Sequence, residues 1–262
     1  MRTLRFGNNS IKIVKQEQGF TLVELLTVIS VIATLAAMLF PAFESALESG
    51  RSASCLNNVK QLASGFMLYT DDNGNRLPNS TDGTTGAGQL GGWMYFSKYP
   101  ANDTTESRNS FNPQQGSLFH YVNSMNVYIC PSDMQGKQSG NSYSANSYLF
   151  GSYDSEGKFT ASKSTSGFAQ GRSLSDFYQA SKWVMLGEEA SSSESGSSAS
   201  YIRTNSTDDG YLYVGYNTVS TRHKGGSNYA FLDGHAKWYN PAEVVSKNYL
   251  TGGVEISTSD TQ

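Results

Sequence analysis

"FTLVELLTVISVIATLAAMLF", residues 20–40, decides how this chain is built, because Glu24 is the only ionisable side chain in it. The run matches the roughly 20 apolar residues that an α-helix needs to cross a bilayer core. Arg2, Arg5, Lys12 and Lys15 precede it with only Glu17 against them. That asymmetry predicts a cytoplasmic N-terminus and carries the bulk of the chain across the membrane. A secretory signal has a shorter apolar core followed by a small-x-small cleavage site. Here the charged leader ends at Gly19 and the apolar run starts at once. The expected cut therefore lies between Gly19 and Phe20, which keeps the helix in the mature protein and exposes a new α-amino group on Phe20.

A carboxylate at that depth costs about 2.5 to 3.5 kcal/mol on insertion scales unless a partner offsets it. The new amine, with an ordinary pKa of roughly 7.7 to 8.0, is such a partner. Phe20 and Glu24 stand at i and i+4 of one helix and can pair there. Between two parallel helices displaced by about a turn, Glu24 of one subunit can instead meet the Phe20 amine of its neighbour. Both pairings relieve the burial, and only the second drives assembly.

"GFTLVELL" resembles the processing site of type IV pilins and type II secretion pseudopilins, and Pro41 falls where that family carries a helix-bending proline. The resemblance implies a pilin-like α+β fold, a long N-terminal hydrophobic α-helix packed on a loop-rich, mainly antiparallel β head. It also implies cleavage after Gly19 by a membrane prepilin peptidase, N-methylation of Phe20 with the charge kept, and a role for Glu24 in docking subunits.

Cys55, Val59, Leu62, Phe66 and Tyr69 recur at steps of four and three, which predicts that the helix continues amphipathically beyond the bilayer. Glu48, Arg51, Asn58, Lys60 and Gln61 read as its outer side. Pro41 predicts a bend or local melting, and Gly50 and Gly65 weaken the helix further. Asp71 to Gly74 form a turn cluster, and Pro78 resists continuation. The expected organisation is therefore a leader over 1–19, a transmembrane and filament-core helix over 20–41, its amphipathic continuation over 42–72, and a β-rich head over 73–262.

In the head, Trp93 to Tyr99 reads as a strand or short helix, Leu118 to Ile129 as core, and Trp183 to Leu186 as a buried strand. "EEASSSESGSSAS", residues 188–200, reads as a low-complexity mobile loop. "RHKGGSNYAFLDGHAKWYNP", residues 222–241, reads as a hairpin. Asp233 and Gly234 suit a two-residue type I′ turn, with Tyr229 and Phe231 alternating before it and Ala236 and Trp238 after it. His223, Asp233 and Gly234 also resemble an H-x9-D-G signature at the C-terminus of many pilin-like proteins, which adds to the family likeness and names no chemistry.

Removing the leader's three net positive charges takes the formal charge from −3 to −6, leaving no basic face to track a phosphate backbone. Nucleic acid is therefore not an expected partner. The three histidines are His120, His223 and His235; a hairpin can draw His223, Asp233 and His235 together, but no HExxH, GxSxG or phosphate-cradling loop accompanies them. No enzymatic site is expected. Calcium, which the pseudopilin resemblance brings in, would need several oxygens, and Asp208 and Asp209 of "NSTDDGY" are the candidates. Cys55 and Cys130 can cross-link helix to head in an oxidising compartment, or remain two separate core thiols.

The functional expectation is a structural subunit of a type IV pilus-like or type II secretion pseudopilus filament. Its partners are copies of itself, a prepilin peptidase, an inner-membrane assembly platform and membrane lipid. It is expected to cross the inner membrane once and to stand as a periplasmic or cell-surface filament. A membrane-anchored or tip-located binding protein, an adhesin or cargo-recognising minor subunit, is the alternative.

Overall fold

A computed structural model of the chain describes residues 19–79, 91–97, 111–150, 152–153, 159–160, 171–189, 207, 210–212 and 219–250. The chain divides into two units, Met1–Ser45 and Ala46–Gln262, each treated by itself below.

Helix α1 spans Leu22–Asp72. Thr21 starts it: the Glu24 amide donates to Thr21 Oγ1 at 3.2 Å, and the Thr21 amide donates to Glu24 Oε2 at 2.9 Å. This reciprocal pair is a capping box, which satisfies two amides that the first helical turn leaves without intrahelical partners. The helix runs through Pro41 without interruption, so the local melting expected there does not occur. It stops where Gly74 (φ 62°) and Asn75 (φ 65°) turn left-handed, close to the expected turn cluster.

In the second unit, Cys55, Val59, Leu62 and Phe66 are buried as the stripe predicts. Tyr69 is only half-buried, and Thr70 takes the buried place, its hydroxyl donating to the Met67 carbonyl at 2.7 Å. Two of the residues read as the outer side point inward. Asn58 donates to the Ile129 carbonyl at 3.0 Å, and Glu48 enters the site described below.

After α1 come two single-turn helices, α2 (Phe119–Val122) and α3 (Gly136–Ser139). The strands are β1 (Tyr143–Asn146), β2 (Ser152–Tyr153), β3 (Phe159–Thr160), β4 (Val184–Glu188), β5 (Tyr211–Leu212), β6 (Ser227–Phe231) and β7 (Ala236–Tyr239), and α4 (Pro241–Ser246) follows. Five of the strands form one sheet in the order β5-β1-β4-β6-β7, while β2 and β3 pair separately. Among the described strands only β1 with β5 is parallel, so the described sheet is mainly antiparallel as expected. Leu118, Val127 and Tyr128 are core, as is Trp183 with the strand behind it. Residues 93–97 form neither strand nor helix; they bend around an isolated bridge between Phe96 and Phe111, and 98–99 lie outside the described residues.

Strand β6 is buried on both faces, and its period of two divides the core. Ala230 joins the cluster that holds Cys55, Leu62, Phe66, Trp93 and Tyr128. Tyr229 and Phe231 face the other way, onto Tyr239, Val244 and Leu250.

The C-terminal hairpin is real, but its turn is not the predicted one. Phe231 pairs with His235 through an N–H···O bond of 2.9 Å, leaving a three-residue loop Leu232–Gly234 in which only Gly234 is left-handed (φ 84°). A type I turn followed by a left-handed glycine is the usual solution for that loop length. The two-residue turn with both central φ positive sits one strand earlier, at Lys224 (φ 55°) and Gly225 (φ 82°), closed by His223 and Gly226 bonding each other's backbones. Trp238 is half-exposed; its indole lies against Gly226, and its Nε1 donates to the His223 carbonyl at 2.9 Å.

Cys55 and Cys130 form a disulfide, with Cα atoms 5.1 Å apart across 75 residues of sequence. It joins the buried stripe of α1 to the segment between α2 and α3. We expect that opening it with a reductant in a chelating buffer lowers the unfolding free energy of the full chain by about 2 to 4 kcal/mol. Urea titrations in detergent, with and without reductant, measure this.

Candidate functional site

Two groups of residues carry the functional reading, one in each unit. In the first, Gly19, Phe20 and Thr21 precede the helix, and the large apolar side chains are exposed from Phe20 (77%), through the first part of α1, to Phe43 (57%). Among the described residues α1 is the one helix long and apolar enough to cross a membrane. With the leader attached, Thr21 holds the Glu24 carboxylate, its hydroxyl donating to Oε2 at 2.6 Å. The T-x-x-E pattern just before an apolar run signals this cap in the sequence.

The second group centres on His223, whose side chain is fully buried. Its Nε2 lies 2.9 Å from Glu188 Oε1 and 3.4 Å from Cys130 Sγ, and its Nδ1 lies 2.7 Å from Glu48 Oε1. Each part of this cluster has its own support. The turn at Lys224 and Gly225 sets His223 just ahead of β6, and Glu188 is the last residue of the neighbouring strand β4. Glu188 Oε2 accepts from the Ser227 hydroxyl at 2.9 Å and the Asn228 amide at 3.0 Å. The Ser132 hydroxyl lies within 3.0 Å of both Glu48 oxygens.

A histidine with a carboxylate on each nitrogen can donate to both only as the imidazolium. Burial works against that charge, but hydrogen bonding and attraction from Glu188, and then from Glu48, outweigh it and raise the His223 pKa. Burial likewise works against the Glu188 carboxylate, but His223, Arg222 and the Asn228 amide outweigh it and lower its pKa. Burial, with Glu188 nearby, pushes the Tyr143 and Tyr229 phenols upward, so both stay neutral. Beside this group Arg222 pairs with Asp133 at 2.7 Å, also buried.

His223 and Asp233 are not brought together. Asp233 sits at the hairpin tip, where Oδ1 accepts from the His235 amide at 3.1 Å and pairs with His235 Nδ1 at 2.5 Å, both side chains partly exposed. The nine-residue interval of H-x9-D-G therefore counts out one tight turn and one strand. It places the histidine at the base of β6 and the Asp-Gly at its far end, and the return strand brings Trp238 back to the His223 carbonyl. Asp208 and Asp209 lie outside the described residues, as do residues 190–200 of the low-complexity stretch. Glu188 and Glu189, its first two residues, are not loop: Glu188 closes β4 and Glu189 bridges to Val219. Glu48 also escaped the sequence reading, although it lies seven residues before Cys55 and so on the buried stripe.

Residues 44–180, which are 137 of the chain's 262, match a family model described as protein of unknown function (DUF1559). The chain belongs to the DUF1559 family. Residues 14–40 of this DUF1559 protein match the prokaryotic N-terminal methylation motif. With that motif on its N-terminal hydrophobic helix, the DUF1559 protein is type IV pilin-like, in keeping with the α+β fold. No curated protein and no solved structure matches it. The matches stop at residue 180, so the H-x9-D-G likeness lies beyond them.

The pH dependence of the disulfide-closed protein follows from the two shifts. His223 has a raised folded pKa, so its contribution is complete below about pH 6.5 and is lost as pH rises through the folded value. Glu188 has a lowered one, so its contribution is present above about pH 4.3 and is lost as pH falls through the folded value. Stability from this pair should therefore be greatest at about pH 5 to 6. Thermal unfolding against pH checks it: His223→Gln should remove the decline on the alkaline side and cost about 3 to 5 kcal/mol near the optimum, because Glu188 is left buried without its cation.

Proposed function

We propose that this chain is a structural subunit of a type IV pilus-like or type II secretion pseudopilus filament. A prepilin peptidase cuts between Gly19 and Phe20 and Phe20 is N-methylated. The mature chain is held in the inner membrane by the first part of α1, N-terminus cytoplasmic, until an assembly platform transfers it into the filament. One observation carries this reading: the large apolar side chains from Phe20 to Phe43 are exposed, and the methylation motif matches over residues 14–40 of the same stretch. Such a surface is stable in lipid or against other copies of itself, and not in water.

Glu24 has two successive roles in this scheme. In the single chain it caps its own helix through Thr21. In the filament the methylated amine of a neighbouring Phe20 approaches it, and the attraction of that cation adds to or replaces the cap. The second unit provides the outward or cargo-facing part and needs no catalytic chemistry for this role.

Mass spectrometry of the mature N-terminus tests the first step. The wild-type chain should begin at methylated Phe20, and Gly19→Ala should leave the leader attached; an unprocessed wild-type chain would refute the scheme. Glu24→Ala should still insert into the membrane and yield at least about tenfold less filament by electron microscopy, the loss expected from removing roughly 1.4 kcal/mol per contact. Undiminished filament yield would eliminate the charge role.

A further inference from the structure

We propose that the thiol form of this protein binds one thiophilic divalent cation, of which zinc is the type, through Cys55 Sγ, Cys130 Sγ, His223 Nε2 and Glu188 Oε1. Closure of the disulfide and occupancy by the ion are then alternative states of the same four residues. All four are buried, and their ligand atoms lie within 4.8 Å of one another. A tetrahedral zinc ion with bonds of about 2.0 to 2.3 Å needs its ligands about 3.3 to 3.8 Å apart. The spacing from His223 Nε2 to Cys130 Sγ is already 3.4 Å, and that from Nε2 to Glu188 Oε1, 2.9 Å, has to open slightly to admit the ion. Small side-chain rotations suffice for the rest once the sulfurs are separate.

The surroundings are those of a metal-bearing imidazole. His223 Nδ1 faces Glu48 Oε1 at 2.7 Å, the outer carboxylate that fixes ring orientation and leaves the other nitrogen for the ion. Ser227 and Asn228 occupy Glu188 Oε2, so Oε1 is the oxygen presented to the centre. Ser132 in turn steadies Glu48. Two thiolates, an imidazole and a carboxylate form a set suited to zinc and too soft for calcium or magnesium.

The steps balance. Binding displaces two thiol protons and the Nε2 proton of the imidazolium, so the cation enters as three protons leave. Oxidation by an acceptor protein disulfide proceeds by thiol–disulfide exchange: the acceptor's S–S bond breaks, the Cys55–Cys130 bond forms, and the acceptor keeps both electrons as a dithiol. The ion leaves because its two thiolate ligands no longer exist, and Nε2 regains a proton between the two carboxylates.

The test uses the full chain in detergent, reduced with a phosphine that is then removed without air, and Co2+ alone as the probe. One equivalent should give thiolate-to-cobalt charge-transfer absorption and the visible bands of a tetrahedral ion, which Zn2+ abolishes by displacement; the disulfide form should give neither. Zinc at ten times its Kd should slow alkylation of both thiols roughly tenfold. Glu48→Gln, which keeps every ligand, should weaken cobalt binding about 10- to 100-fold, and His235→Gln should leave it unchanged. The proposal fails if the reduced chain shows no charge-transfer band, or if the band and its affinity survive both His223→Gln and Glu48→Gln. If reduction alone loosens the fold, the cation must restore the near-ultraviolet circular dichroism, and failure to do so also overturns it.

Discussion

The second unit is organised around one buried imidazole held between two carboxylates. His223 touches Glu48 on α1 and Glu188 at the end of β4, while the residues just after it form β6. Helix, central strand and neighbouring strand thus meet at one imidazole. Buried charges of this kind are stable only when every donor and acceptor is met, and here Ser132, Ser227 and Asn228 complete the carboxylates. The disulfide reinforces the same junction from a few ångströms away, because Cys130 Sγ is in contact with the ring. Apolar packing alone would tolerate sliding of the helix along the sheet. The fixed directions of these hydrogen bonds do not.

The first unit follows a different rule. Over the length of a bilayer its described residues are mostly apolar and exposed, so its stability is set by whatever surrounds it. The matched methylation motif and the exposed helix agree on that point by separate routes, one through sequence likeness and one through geometry. Lipid and a bundle of identical helices offer almost the same apolar environment, so transfer between them costs little on that account. What distinguishes the two is polar, and Glu24 is the only ionisable side chain of residues 20–40.

Much of this was legible in the sequence because periodic burial leaves a periodic pattern. The spanning run, the stripe of Cys55, Val59, Leu62 and Phe66, the strand after Trp183 and the hairpin through β6 were all readable in that way. The failures have physical causes. Glu48 lies on the stripe by spacing, but a charged residue reads as solvent-facing, since a buried charge is recognised only by partners distant in sequence, here 84 and 175 residues on at Ser132 and His223. Glu188 was masked by the serine-rich stretch that follows it. The Asp-Gly pair satisfies both a two-residue and a three-residue loop, and the choice was made by the pairing of Phe231 with His235, which only the register of the whole hairpin fixes. The Thr21 cap was readable and overlooked, because the carboxylate three residues on already had an explanation.

On the processing proposed above, that cap has a consequence for how the precursor presents itself. The helix begins at Leu22, so the peptide linking Gly19 to Phe20 lies outside the hydrogen-bonded ladder. Proteolytic clefts accept backbone in an extended form, and a ladder propagating toward the amino end would fold that bond out of reach. Thr21 and Glu24 act as a fence post, halting the coil two residues short of the bond and keeping it threadable while everything after it stays wound.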